Sequence, residues 1–290
     1  MSLSMDGNVA GGVGTVFENG FDHDLLPSTE DQHEGVIVEN LEIAAPMGPE
    51  VFGARLRASI SEWKRKGKKG VWIKFPPELA NLVESAIQVG FRYHHAEPSY
   101  LMMTYWIPES TCMLPANASH RVRVGAIVLN DKREVLVVQE KSGALKGMGL
   151  WKIPTGVVDE DEDIEAAATR EVKEETGIDT EFKEILLFRQ SHKAFFEKSE
   201  LFFLCILRPL SFDIQKQDLE IEAAQWLPLE DFAAQPFAQQ NDLCECITEI
   251  CLARANHDYS RFVPVDTPTR SISDNGLQYV YLNAKTLLRG

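Results

Sequence analysis

Glu171, Glu174 and Glu175 stand at i, i+3 and i+4 within a stretch of helical period running from Asp163 to Thr176. That spacing gathers three carboxylates on one side of a helix, one turn apart. Like charges held so close destabilise an isolated helix by about 0.2–0.5 kcal/mol per contact. A divalent cation offsets the repulsion, and hard oxygen donors select Mg2+ or Mn2+. Carboxylate-held metal serves phosphoryl transfer well, because that chemistry depends mainly on positioning and on stabilising charge. Ile164, Ala168 and Val172, with Ala166 and Ala167, supply the apolar side that would seat such a helix, and Gly177 closes it as a left-handed C-terminal residue.

The acidic helix belongs to a longer pattern. Gly156, Glu162, Arg170, Glu171, Val172, Glu174, Glu175, Gly177 and Ile178 fall at the spacing of the Nudix box. The stretch therefore resembles the signature of pyrophosphohydrolases acting on nucleoside-diphosphate-linked compounds. The resemblance implies an α/β fold, the α/β/α sandwich with a mixed sheet. It implies Glu174 and Glu175 as ligands of Mg2+ (or Mn2+), and Glu171 as either a ligand or the group handling the water's proton. Arg170 and Glu162 would pair to hold the helix in register, and Gly156 would offer its carbonyl or a close backbone approach. Relatives add a carboxylate from a distant loop, for which Glu220 is preferred here over Glu222.

The elements that must position this box follow a readable order. Arg121 to Asn130 and Val135 to Gln139 pattern as paired strands, and a loop bearing Gly143, Gly147 and Gly149 leads into Trp151–Gly156. Strand-like runs follow at Phe182–Gln190, Leu201–Leu207 and Glu222–Leu227, then helical segments at Leu229–Phe232 and Asn241–Ala255. Strands before and after one helix, with another helix at the end, suit a mixed sheet covered on both faces. We expect a hydrolase domain over 118–255 and a C-terminal tail over 256–290, with 278–282 adding an edge strand.

Upstream, residues 35–112 read as a small β-α-β-α-β-β accessory domain, and residues 1–34 as a mobile acidic leader without Lys or Arg. His94 and His95 are adjacent on an expected strand, so the alternation of side chains sends them to opposite faces and denies them a shared site. Exposed aromatics of this domain (Tyr93, Tyr105, Trp106) favour a homodimer. The runs KKGVWIKFPPELANLVESA and GFRYHHAEPSYLMMTYWI are similar to the domain preceding the Nudix domain in a plant-rich subfamily. Phe188–Ala194 and Leu201–Cys205 look like the plant enzymes that split ADP-ribose and NADH and release AMP. On that resemblance Arg189, His192 or Lys193 would meet phosphate oxygens, and Phe195 or Phe196 would stack on adenine. Alternatives are another nucleotide conjugate (CoA, a dinucleoside polyphosphate, an oxidised nucleotide) or a non-catalytic nucleotide-binding regulator.

Bulk composition narrows the partners. The chain has 290 residues, a formal net charge of −15 and a pI near 4.9. This balance disfavours nucleic-acid binding, which draws on clustered Lys and Arg. No apolar run reaches the roughly 18 residues that span a bilayer, so no membrane partner is expected. Five cysteines, an odd number, fit a reducing, cytoplasmic compartment.

Overall fold

In the computed structural model, placement is described for residues 25–39, 41, 47–143, 146–236 and 242–256, and for the backbone of 263–270 and 277–282. The chain divides into two compact units between Ala118 and Ser119.

In the first unit, Leu56, Ser59 and Trp63 recur on one face of α1 (Pro49–Arg65) and are buried. The helix joins two parallel strands, β2 (Val36–Val38) and β3 (Gly70–Phe75). A 3-10 turn (Pro77–Leu82) and α2 (Val83–Val89) then lead to the hairpin of β4 (Arg92–Glu97) and β5 (Tyr100–Trp106). With β1 (Thr29–Glu30) these strands form a sheet in the order β1-β2-β3-β5-β4. Phe52, Leu56, Val71, Ile73, Phe75 and Met103 are fully buried at its centre.

Three expectations change here. The acidic leader does not extend to residue 34: Leu26 is buried in this core and Thr29–Glu30 pairs with Val36–Ile37. Tyr105 packs against the core and stacks on Phe91 at 5.3 Å, so it is not a free surface aromatic. His94 and His95 share one site after all, with their Nδ1 atoms 2.6 Å apart. A register shift between Tyr93 and His95 breaks the strict alternation, as a β-bulge does. His94 Nε2 lies 3.0 Å from the Pro115 carbonyl and His95 Nε2 lies 3.2 Å from the Tyr100 hydroxyl.

The second unit is the α/β/α sandwich. Its mixed sheet runs β12-β13-β9-β10-β6-β8, built from β6 (His120–Val128), β8 (Thr155–Val157), β9 (Thr180–Phe195), β10 (Lys198–Pro209), β12 (Val263–Arg270) and β13 (Leu277–Leu282). Among the described residues of this sheet only β6 and β10 pair in parallel. A separate ribbon joins β7 (Glu134–Glu140) to β11 (Ile221–Pro228). On one face α3 (Ile164–Thr176) buries Ala167, Ala168 and Val172 against Val124, Ala126 and Cys205. On the other, α4 (Leu229–Ala233) and α5 (Asp242–Ala255) cover Ile127, Phe202 and Ile206. Residues 256–290 are not simply a tail, since β13 pairs with β9 through Val280↔Arg189 and Tyr281↔Phe188. Nor is β13 the edge: β12 flanks it. The long β9 leaves backbone donors and acceptors for a further strand to satisfy. The expectations for residues 1–24 lie outside the described residues. Among the described residues no helix is long and apolar enough to cross a membrane, and Cys112, Cys205, Cys246 and Cys251 carry free thiols.

Candidate active site

The acidic helix α3 is fixed at its C-terminal end. Gly177 adopts φ +74, and its N–H bonds the Lys173 carbonyl at 2.8 Å. The segment ahead of β11 crosses the helix end, where Gln215 and Gln217 donate backbone N–H groups to Thr176 and Glu175 carbonyls at 2.8 and 3.1 Å. These bonds occupy carbonyls that a helix terminus leaves unpaired. A Cβ on Gly177 would lie 2.7–3.1 Å from Gln215, so glycine is required there by contact as well as by φ.

Arg170 organises the box. Its Nε and Nη2 donate to the two oxygens of Glu162 at 2.7 and 2.8 Å, a bidentate pair reaching back eight residues. Nη2 also donates to the Val157 carbonyl at 2.9 Å, which ties α3 to β8. Nη1 donates to Glu171 Oε1 at 2.8 Å and Glu174 Oε2 at 3.1 Å. Hydrogen bonding to Arg170 holds the Glu162 carboxyl down at about 2. One guanidinium thus offsets the like-charge repulsion among Glu162, Glu171 and Glu174.

Glu171 and Glu175, one turn apart, point inward instead. Glu171 lies so close to Gly156 that a Cβ there would sit 1.7–2.2 Å from its carboxylate. Burial raises the Glu171 pKa, opposed by Arg170. Glu175 is buried, accepts the Thr155 backbone N–H, and is pushed up to about 8 mainly by desolvation, with Lys152 opposing. Its Oε2 has no hydrogen-bond partner. Lys152 Nζ lies 2.5 Å from Glu140 Oε1 and donates to Thr155 Oγ1 at 2.9 Å. Lys152 and Glu140 were not singled out from the sequence. The only trace was the charge in Trp151–Gly156, because the Val138↔Lys152 bridge that brings them together is a tertiary pairing.

Among the described residues no three Asp, Glu, His or Cys side chains converge as a ready cation cage, because Glu174 is drawn outward by Arg170 and remains largely exposed. The inner pair nonetheless fits a divalent ion. A buried carboxylate oxygen without a partner costs free energy unless a proton or cation meets it. Gly156, without a side chain, leaves backbone beside Glu171.

The remaining candidates divide. Glu220 lies exposed in the turn before β11, its carbonyl accepting the Lys141 N–H at 2.8 Å beside Glu140. Arg189 is buried on β9, and its Nε has no hydrogen-bond partner. Phe195 is half-exposed near the β9–β10 turn, with the Arg121 guanidinium 4.4 Å from its ring centroid. Lys193 is exposed at φ +54. His192 bonds Ser199 Oγ at 3.0 Å, close to the β9–β10 turn.

Comparison with known proteins agrees with this architecture on both units. Residues 26–107 match the Nudix hydrolase domain model and 119–244 the NUDIX domain model. Nudix hydrolase 10 of Arabidopsis thaliana is 56% identical, over 91% of this chain and 93% of its own length. The chain belongs to the Nudix hydrolase family. Nudix hydrolases 2 and 7 of the same plant are 56% and 48% identical, covering 83% and 90% of this chain and 86% and 91% of their own. Membership supports a pyrophosphohydrolase, and divalent metal ions are the usual cofactors of the family.

Proposed function

We propose that this chain hydrolyses the diphosphate bridge of nucleoside-diphosphate conjugates, ADP-ribose and NADH foremost, and releases AMP. The observation that carries this reading is the buried, unpartnered Glu175 Oε2 beside Glu171 and Gly156. Glu171, Glu175 and the Gly156 carbonyl would hold Mg2+ or Mn2+, with Glu174 available from the helix rim. Bound there, the ion screens phosphate oxygens and lowers the pKa of its water.

The chain's own residues do the rest. Arg170 holds α3 against β8 through Val157 and Glu162, so the carboxylates keep their position as charge builds on the substrate. Glu171 is either a ligand of the ion or the group that handles the water's proton: burial raises its pKa while Arg170 opposes that shift and keeps it oriented. Lys152 places positive charge beside Glu175 and Glu140, on the side where the bridging phosphates would lie. Glu220, in the exposed turn before β11, is the candidate for a further carboxylate from a distant loop.

The test is a product assay with purified protein, Mg2+ or Mn2+, and a panel of conjugates. AMP from ADP-ribose and NADH, with little turnover of capped RNA or CoA, is expected. Preferential hydrolysis of another conjugate would replace the substrate reading while leaving the reaction type intact. Self-association through the first unit is also part of the proposal, carried by the exposure of Tyr93. Light scattering at micromolar concentration should give twice the chain mass, and a monomer mass removes it.

A further inference from the structure

The central strands of the second unit place charge in two adjoining rows. Arg121 on β6 pairs directly with Glu200 on β10; one step along, Arg123 and Arg189 flank Phe202 from β6 and β9. Phe202 packs on the α4–α5 side of the sheet and is the ring that a Cβ on Gly125 would strike at 2.5 Å. Strand alternation then puts Arg121, Arg123 and Glu200 on that same side. Contacts agree: Arg123 Nη1 lies 3.6 Å from Glu200 Oε2, and Arg123 Nη2 lies 3.5 Å from Thr155 Oγ1. Thr155 Oγ1 in turn accepts from Lys152, so a polar track runs from Glu175 across to Arg189.

The track is under-neutralised. Glu200 faces Arg123 and lies within the field of Arg189, while the exposed Arg121 guanidinium rests over the Phe195 ring; the Arg123–Glu200 separation exceeds a good hydrogen bond. Arg189 is only 8% exposed and its Nε meets no acceptor. Burying an unsatisfied guanidinium is costly, and an anionic ligand would remove that cost. Glu200, itself mostly buried, is the counterweight: it leaves room for the modest charge of a bridging diphosphate and repels the denser charge of a terminal phosphate.

We infer that Arg123 and Arg189 seat the diphosphate of the substrate and that Glu200 is a specificity-determining residue, admitting diphosphate diesters and disfavouring nucleotides that end in a free phosphate. The inference rests on the nucleotide-conjugate reading above and adds the reason why a diester is chosen.

Titration calorimetry of the full chain without metal tests it, using ADP-ribose, ADP and ATP. The wild type should bind ADP-ribose in preference to ADP and ATP. Glu200→Gln should narrow that preference by about tenfold, mostly by tightening ATP, the scale of one like charge removed from a partly desolvated site. Arg123→Gln, at a more exposed position, should weaken all three by a similar factor and provides the test if the Glu200 variant does not fold. A preference unchanged within twofold in Glu200→Gln, undiminished binding in Arg123→Gln, or no binding to the wild type at millimolar ligand would overturn the inference. If the calorimetric shift appears but no AMP is released from ADP-ribose, the subsite stands and the substrate assignment fails. Normal AMP release from ADP-ribose with an unchanged preference overturns the inference and leaves the substrate assignment standing.

Discussion

Glu175→Gln should abolish most Mg2+-dependent turnover, by about 100-fold or more as expected for losing a metal-holding group at the reacting centre, and at alkaline pH it should stabilise the metal-free protein. The two effects share one cause. The native Glu175 carboxyl ionises near 8, well above its ordinary 4.5, because it is buried. As pH rises from 4.5 to 8 the unfolded chain releases this proton while the folded chain retains it. The penalty on the folded state therefore grows through that window and is complete above it. Every tenfold difference in proton affinity between the two states is worth about 1.4 kcal/mol, so the total is a few kcal/mol. Gln carries no charge to desolvate. In metal-free buffer its melting temperature should exceed that of the wild type at pH 8–9, and the gap should close toward pH 5. Added Mg2+ should raise the wild-type midpoint and leave the variant unmoved. Parallel pH dependence for the two proteins would show that burial does not raise the Glu175 carboxyl, and an equal Mg2+ shift in both would remove Glu175 from the metal site.

Gly156→Ala should cost nearly as much turnover while leaving the fold intact. The new methyl would occupy the place of the Glu171 carboxylate, which is the flexible end of a side chain and can swing aside. Displacing it breaks the Arg170–Glu171 bond at 2.8 Å but spares the Arg170 contacts to Glu162 and Val157. Stability should then fall by only about 1 kcal/mol, within the range for the loss of one partly exposed hydrogen bond. Turnover should fall by about 100-fold, with the binding of ADP-ribose changed far less. Because both substitutions remove the same carboxylate from its place, adding Glu171→Gln to Gly156→Ala should cause little further loss. Multiplicative losses in the double variant would show that Gly156 and Glu171 act separately.

Local sequence was enough for the box and its helix. Side chains four residues apart on one helix must be neighbours, so Glu171 and Glu175 could be placed together before any fold was known, and Gly177 marked where the helix stops. The Arg170–Glu162 pair was likewise within one loop-helix segment. Strand pairing decided the rest. Lys152 reaches Glu175 and Glu140 because residues 138 and 152 bridge. Arg123 meets Glu200 because β6 and β10 run in parallel, a register that no periodicity within either strand encodes. His94 and His95 show the same limit from the other side: period two sends neighbours apart, but one extra residue against β5 turns both imidazoles to one place. Short-range geometry thus gave the chemistry its carboxylates, while the electrostatic surroundings that select a substrate arose from contacts between strands distant in the chain, where burial and register set which charges face one another.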